Sequence, residues 1–290
     1  MKYYFMVAAL LLISGCQTTE PPAEITQDNL LSVHYIDVGQ GDATLFDAPD
    51  GTILIDTGRH DREEVVPYLQ KAGIEEIDLV IGTHPHADHI GQMEEVLASF
   101  PVDEVWMSGG EHTTATFERT LDAIIESEAN YHEPRRGEEY VIGDLSVDVL
   151  HPDELTGDLN EDSVSVRISY DSISFIVTGD AEEEGEAAMV RESREQLHAD
   201  ILKLGHHGSS TSTNPDFLSA VAPEVALYSA GRANEYGHPH NEVIERVEGA
   251  GIPVLGTPEH GTILVITDGE EYWLEAEHEN EELQEALEAS

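Results

Sequence analysis

The stretch D-L-V-I-G-T-H-P-H-A-D-H-I-G, Asp78 to Gly91, sets four metal-ligating side chains within six residues, just beyond an apolar run. Leu79, Val80 and Ile81 predict a short buried strand, which the chain leaves at Gly82 and Thr83 carrying His84 and His86. In an extended segment residues two apart point the same way, so these two imidazoles can grip one ion together. Asp88 and His89 follow the turn, ahead of a helix predicted over 90–99, and approach the same pocket from another side. One ion does not easily take all four. The spacing predicts a site for two divalent ions roughly 3.5–4 Å apart. Imidazole and carboxylate ligands suit zinc first and manganese next.

Composition bounds what surrounds that site. A chain of 290 residues is ample to bury a core. Its 60 acidic residues against 13 basic ones give a formal charge of −47, spread along the chain rather than confined to a tail. A hydrophobic content of 40%, in strand-like runs, argues against intrinsic disorder. Such acidity suits a halophilic source, because at about 1 M salt the Debye length is only about 3 Å and a carboxylate-covered surface is screened.

Residues 1–16 read as a signal peptide: Lys2, an apolar stretch from Tyr3 to Ile13 too short for the roughly 20 residues a membrane span needs, then Ser14, Gly15 and Cys16. Leu12 to Cys16 resembles a lipobox, which makes Cys16 the expected lipidation site and the outer face of the membrane the expected location. Cys16 is the single cysteine, so no internal disulfide forms. Residues 17–30, with Pro21-Pro22, read as a flexible tether, residues 31–274 as one domain, and residues 275–290 as an acidic, solvated tail helix. Within the domain the pattern predicts strands at 31–37, 43–48 and 52–56, a helix at 61–72, the metal strand, its helix, a strand at 104–107 and a helix at 116–128. A second series follows: strands at 139–142, 145–150, 164–170 and 173–178, a helix at 182–196, then strands at 200–204, 225–229 and 253–256 alternating with helices at 215–220 and 241–249, and a closing hairpin. Two rounds of strands then helices pack as two sheets face to face with helices outside.

The pattern H-x-H-x-D-H at His84, His86, Asp88 and His89 resembles the signature of the metallo-β-lactamase superfamily, over about Leu31 to Leu274. The resemblance implies an α+β, four-layer αββα sandwich and a metal-dependent hydrolase. It implies that Asp56, in Ile55-Asp56-Thr57-Gly58, steadies the histidine loop, and that Asp180, in Thr178-Gly179-Asp180, bridges both metals. In Lys203-Leu204-Gly205-His206-His207-Gly208-Ser209, neighbours in an extended chain point oppositely, so one histidine faces the metal. His207 is favoured as ligand and His206 as the leaving-group contact, with the reverse open. Lactamases and glyoxalases carry a Gly-His-Thr-type ligand between Leu150 and Val166, which this chain lacks. His151 is the candidate replacement, and Asn160 a candidate substrate contact, as is Ser209. Asp37 to Ala43, Asn160 to Ser163, His206 to Ser209 and Tyr236 to His240 narrow the resemblance to the hydrolase domain of ComEC-type DNA-internalisation competence proteins. His238, with His206 and Asp88, completes the candidate catalytic set.

The resemblance therefore implies a two-metal phosphodiesterase or nuclease. DNA as substrate meets a difficulty, since no Lys/Arg stripe is visible among the 13 basic residues. A small ester, such as a cell-wall choline-phosphate ester, is the rival substrate, and a non-catalytic surface-binding protein on the same scaffold is the rival class.

Overall fold

The computed structural model describes residues 29–278. The signal peptide, Cys16, most of the tether and most of the acidic tail lie outside them. One sheet has eight strands in the order β15-β14-β1-β2-β3-β4-β5-β6, comprising β1 (Leu31–Tyr35), β2 (Thr44–Ala48), β3 (Gly51–Ile55), β4 (Ile77–Gly82), β5 (Val102–Met107), β6 (Asn130–His132), β14 (Ile263–Thr267) and β15 (Tyr272–Ala276). The other has seven, β13-β12-β11-β10-β9-β8-β7: β7 (Glu139–Ile142), β8 (Leu145–His151), β9 (Ser165–Tyr170), β10 (Ile173–Val177), β11 (Ile201–Lys203), β12 (Val225–Tyr228) and β13 (Val254–Gly256).

Strand alternation sorts the side chains into layers. Ile53 and Ile55 of β3, Leu79 and Ile81 of β4, and Phe175 and Val177 of β10 share one core between the sheets. Leu54 and Val80 point the other way, onto α1 (Val65–Ala72), α2 (Met93–Ser99) and α3 (Ala115–Ser127). Ile176, Leu202 and Ala226 likewise meet α4 (Glu183–Glu192), α5 (Pro215–Val221) and α6 (Asn241–Gly249). Burial on both faces explains why these strands read as unbroken apolar runs. The sheets lock through Phe46 and Phe175, edge to face at 5.4 Å, and truncating either to Ala would cost about 3–5 kcal/mol. The αββα sandwich is therefore the fold.

β3 through β6 pair in parallel, as do β10 through β13. In such sheets ligands gather beyond the carboxyl ends of the strands. Asp56 follows β3, His84 follows β4, Asp180 follows β10, and His206 and His207 follow β11.

Several expected boundaries move. The first helix begins at Val65 rather than Asp61, because residues 59–64 pair Arg59 with Asp61 and Arg62 with Glu64, and Val65 N donates instead to Gln92 Oε1 at 3.1 Å. The helix expected from Ile90 starts at Met93, since Gly91 and Gln92 donate to Gly58 and Thr57 carbonyls. Gly91 must be glycine here, because a Cβ would sit 2.1 Å from the His60 nitrogen. The helix expected over 182–196 ends at Glu192 and resumes as a 3-10 turn at Arg194–Gln196. Strand β15 reaches Ala276, so the tail opens extended, not helical; β6 and the short α7 (Thr257–His260) were not expected.

Candidate metal centre

The two ends of the sandwich's parallel halves bring two ligand groups together. His84, His86 and Asp180 form one, and Asp42, His89, Asp180 and His207 the other, with candidate ligand atoms in each group within 4.8 Å of one another. Asp180 belongs to both. Its Oδ2 lies 3.6 Å from His84 Nε2 and its Oδ1 3.2 Å from His89 Nε2. Gly179, at φ 56°, turns the chain so that Asp180 enters, and a Cβ on it would press within 2.7 Å of Thr83.

The orientation of each imidazole is fixed from behind. His89 Nδ1 meets Asp56 Oδ2 at 2.8 Å, and His207 Nδ1 donates to the Ser229 carbonyl at 3.0 Å. Both Nε2 atoms thus face the cluster, where His207 Nε2 stands 3.5 Å from Asp88 Oδ2. Asp56 also accepts from Thr83 N at 2.8 Å and from its hydroxyl, holding the strand end that launches His84. Asp42 Oδ1 lies 3.6 Å from His207 Nδ1, while Asp88, outside both ligand groups, stands at the other ring nitrogen, so Asp42 backs that imidazole.

A divalent ion fits this arrangement. His89 Nε2, Asp180 Oδ1 and His207 Nε2 are buried atoms without a hydrogen-bond partner, and each such atom costs roughly 1–3 kcal/mol. Nitrogen and carboxylate donors converging on shared points give those atoms a cation to bind. The charges agree. Burial would raise the Asp180 and Asp88 carboxyls, yet the surrounding imidazoles hold both well below the usual range. Burial would lower His207, but Asp42 and Asp180 push it up to about 10. Burial and the neighbouring His89 lower His84.

The sequence-expected residues divide on placement. His84, His86, His89, Asp180 and His207 come together in the ligand groups, with Asp88 against His207. The His206–His207 segment is not extended: both residues are left-handed, at φ 51° and 56°, within a 3-10 turn. His207 is buried in the cluster, while His206, its side chain 20% exposed, sits at the rim with Nε2 3.5 Å from Asp180 and Nδ1 3.2 Å from Glu182. Asn160 and His238 line the same cavity of about 320 Å3, together with Gln40, His86 and Tyr236. Burial, then His207, His206 and His240, lower His238 to about 4.

Two expectations do not fit. His151 is outside both ligand groups; its Nε2 donates to the Glu161 carbonyl at 2.6 Å, and it lines a different cavity with Arg136 and Asp153. Ser209 is buried with its hydroxyl 3.0 Å from that of Thr211, outside the residues lining the metal cavity. Asp42 and Glu182 were missed as site residues. Asp42 was visible as the last acid of the quoted Asp37–Ala43 stretch, but nothing local tied it to a histidine 165 positions away.

The profile of the metallo-β-lactamase superfamily matches residues 36–232. The chain belongs to this superfamily. It is 33% identical to "ComE operon protein 3" of Bacillus subtilis, covering 89% of this chain and 34% of the relative, and 31% identical to "Competence protein ComA" of Neisseria gonorrhoeae, covering 88% and 35%. It thus spans about a third of the length of these curated relatives. Among solved structures, the metallo-β-lactamase fold protein YhfI of Bacillus subtilis aligns over 84% of this chain and 99% of its own, with a TM-score of 0.54 at 14% identity, which speaks to fold alone. Family and ligand groups together make the protein a metal-dependent hydrolase using divalent ions.

Proposed function

We propose that this metallo-β-lactamase-superfamily hydrolase is a two-metal phosphodiesterase. The observation that carries the reading is Asp180, one carboxylate shared by two ligand groups. His84, His86 and Asp180 would hold one ion, and His89, His207, Asp180 and Asp88 the other. Divalent ions so placed supply Lewis acidity at phosphoryl oxygens and lower the pKa of water. The resemblance to the hydrolase domain of DNA-internalisation competence proteins, together with the name of one relative, "Competence protein ComA", favours a nucleic-acid phosphodiester. Zinc suits the ligand set best and manganese next.

The chain's own groups have separable roles. Asp56 and Ser229 hold His89 and His207 so that neither ring turns on substrate arrival. His206 reaches the rim with Glu182 behind it, where it can donate a proton to the leaving oxygen, a contribution of about 10²–10⁴ in rate. His238 and Asn160 border the same opening and orient the ester.

Small phosphodiesters remain the second reading, because no lysine or arginine lines the cavity among the described residues. Purified protein loaded with zinc or manganese should hydrolyse a phosphodiester panel, and comparing single-stranded oligonucleotide with choline-phosphate ester at matched salt decides between the two. Hydrolysis of carboxylic esters or lactams by metal-loaded protein that leaves every phosphodiester intact would overturn the proposal. Anchoring at the outer membrane face through Cys16 is part of the reading. Cys16→Ser should release the protein from the membrane fraction, and unchanged fractionation with unchanged mature mass would remove the anchor.

A further inference from the structure

We infer that Lys203 and Asp42 form a buried positioning pair that holds His207 for the second ion and sets that ion's affinity. Lys203 ends β11, four residues before His207, and only 2% of its side chain is exposed. A lysine is almost never buried so fully without a partner. Its ammonium donates to Asp42 Oδ2 at 2.5 Å, and Asp42 is as buried as Lys203.

Stability does not account for such a pair. Removing two charges from water costs more than their attraction commonly returns, and apolar residues of the same volume generally serve a core as well. What distinguishes this pair is its aim. Asp42's second oxygen, Oδ1, is buried without a hydrogen-bond partner and stands 3.6 Å from His207 Nδ1. The Ser229 carbonyl takes the hydrogen of that nitrogen at 3.0 Å, so a carbonyl and a carboxylate both favour the ring orientation in which Nε2 faces Asp88 and Asp180.

Asp42 is itself fastened to the metal loop. Its backbone nitrogen donates to the Asp88 carbonyl at 3.1 Å, and its carbonyl accepts from Gly58 at 2.7 Å. His207 needs this support, because a left-handed conformation in a non-glycine residue persists only where its surroundings over-determine it. Lys203 completes the set by neutralising Asp42. Without the ammonium, the Asp42 carboxylate would be drawn toward the ions and away from its place behind the imidazole.

The inference rests on the two-group metal reading and is independent of the substrate. The test uses Asp42→Asn, Lys203→Met and the double variant, each measured for metal content, for competition against a chelator with zinc alone, and for thermal unfolding. Wild type should take up two ions, with the one at His207 assignable by its loss in His207→Ala. The single variants should lose about 10- to 100-fold in affinity for that ion while keeping the His84–His86 ion. The double variant, which buries no unpaired charge, should recover the melting temperature but not the affinity. Recovery of both, equal weakening of both ions, or a double variant that does not fold would assign the pair to the fold and overturn the inference. A wild type that takes up no second ion would instead defeat the metal reading itself.

Discussion

Asp56 meets the Nδ1 of His89 at 2.8 Å while its other oxygen accepts the backbone hydrogen of Thr83, so one carboxylate orients one ligand and the strand end that delivers another. Asp56→Asn should expose this double duty. A carboxamide nitrogen would face either the His89 ring hydrogen or the Thr83 hydrogen, donor against donor. Metal affinity should fall about 10- to 100-fold, and stability by roughly 1–3 kcal/mol. Chelator competition and thermal unfolding measure the two effects. Unchanged affinity would remove Asp56 from the support of the site.

Asp180 gives an unequal prediction. Since it joins both ligand groups, Asp180→Ala should abolish binding of both ions, whereas His84→Ala and His207→Ala should each leave one. Metal analysis after gel filtration distinguishes the three. Equal residual content in all three variants would mean that the groups do not share their carboxylate.

The H-x-H-x-D-H stretch made most of this centre legible, because its ligands sit at the end of an apolar strand and their spacing alone forces convergence. The layers were legible for a similar reason: runs such as Ile53 to Ile55 and Leu79 to Ile81 must bury both faces. What was not legible is held by contacts distant in sequence. His151 looks like a ligand at a strand end, and only the bond to Glu161 shows where its ring goes. The His206–His207 pair looked extended, yet two left-handed residues turn it. Asp42 acquires its role only once β11 brings Lys203 beneath it.

His151→Gln tests that correction. With His151 bonded to a carbonyl and lining another cavity, the variant should keep its full metal content. It should lose about 1 kcal/mol from the altered hydrogen bond. Loss of one ion from a folded His151→Gln would restore His151 to the ligand set.

Acid sensitivity should arise in part from His34, away from the metal. Burial lowers this imidazole from 6.5 to about 4, with Nδ1 2.7 Å from the Tyr68 hydroxyl. The unfolded chain takes up the proton below pH 6.5, but the folded chain does so only near pH 4. The stability is therefore fully present above pH 6.5 and is lost as pH falls toward 4, by about 3 kcal/mol for this one group. His34→Leu should flatten that part of the stability curve relative to wild type in metal-free protein. Parallel curves for the two proteins would show that His34 does not titrate in this window.

Salt should stabilise the fold. A formal charge of −47 makes the compact state repel itself, and among the described residues many of the cations already pair with a carboxylate, as Lys203 does with Asp42 inside and Arg59 and Arg62 do with neighbouring carboxylates outside. Surface pairs of that kind contribute about 0–1 kcal/mol each and weaken as salt rises, so added salt loses little attraction while it removes much repulsion. The melting temperature, measured with saturating metal, should climb steadily as potassium chloride approaches molar concentration, where the Debye length falls to about 3 Å. Sodium chloride should act alike, because screening depends on ionic strength and not on which monovalent ion supplies it. A flat or falling curve in both salts would leave the acidic composition without a halophilic cause.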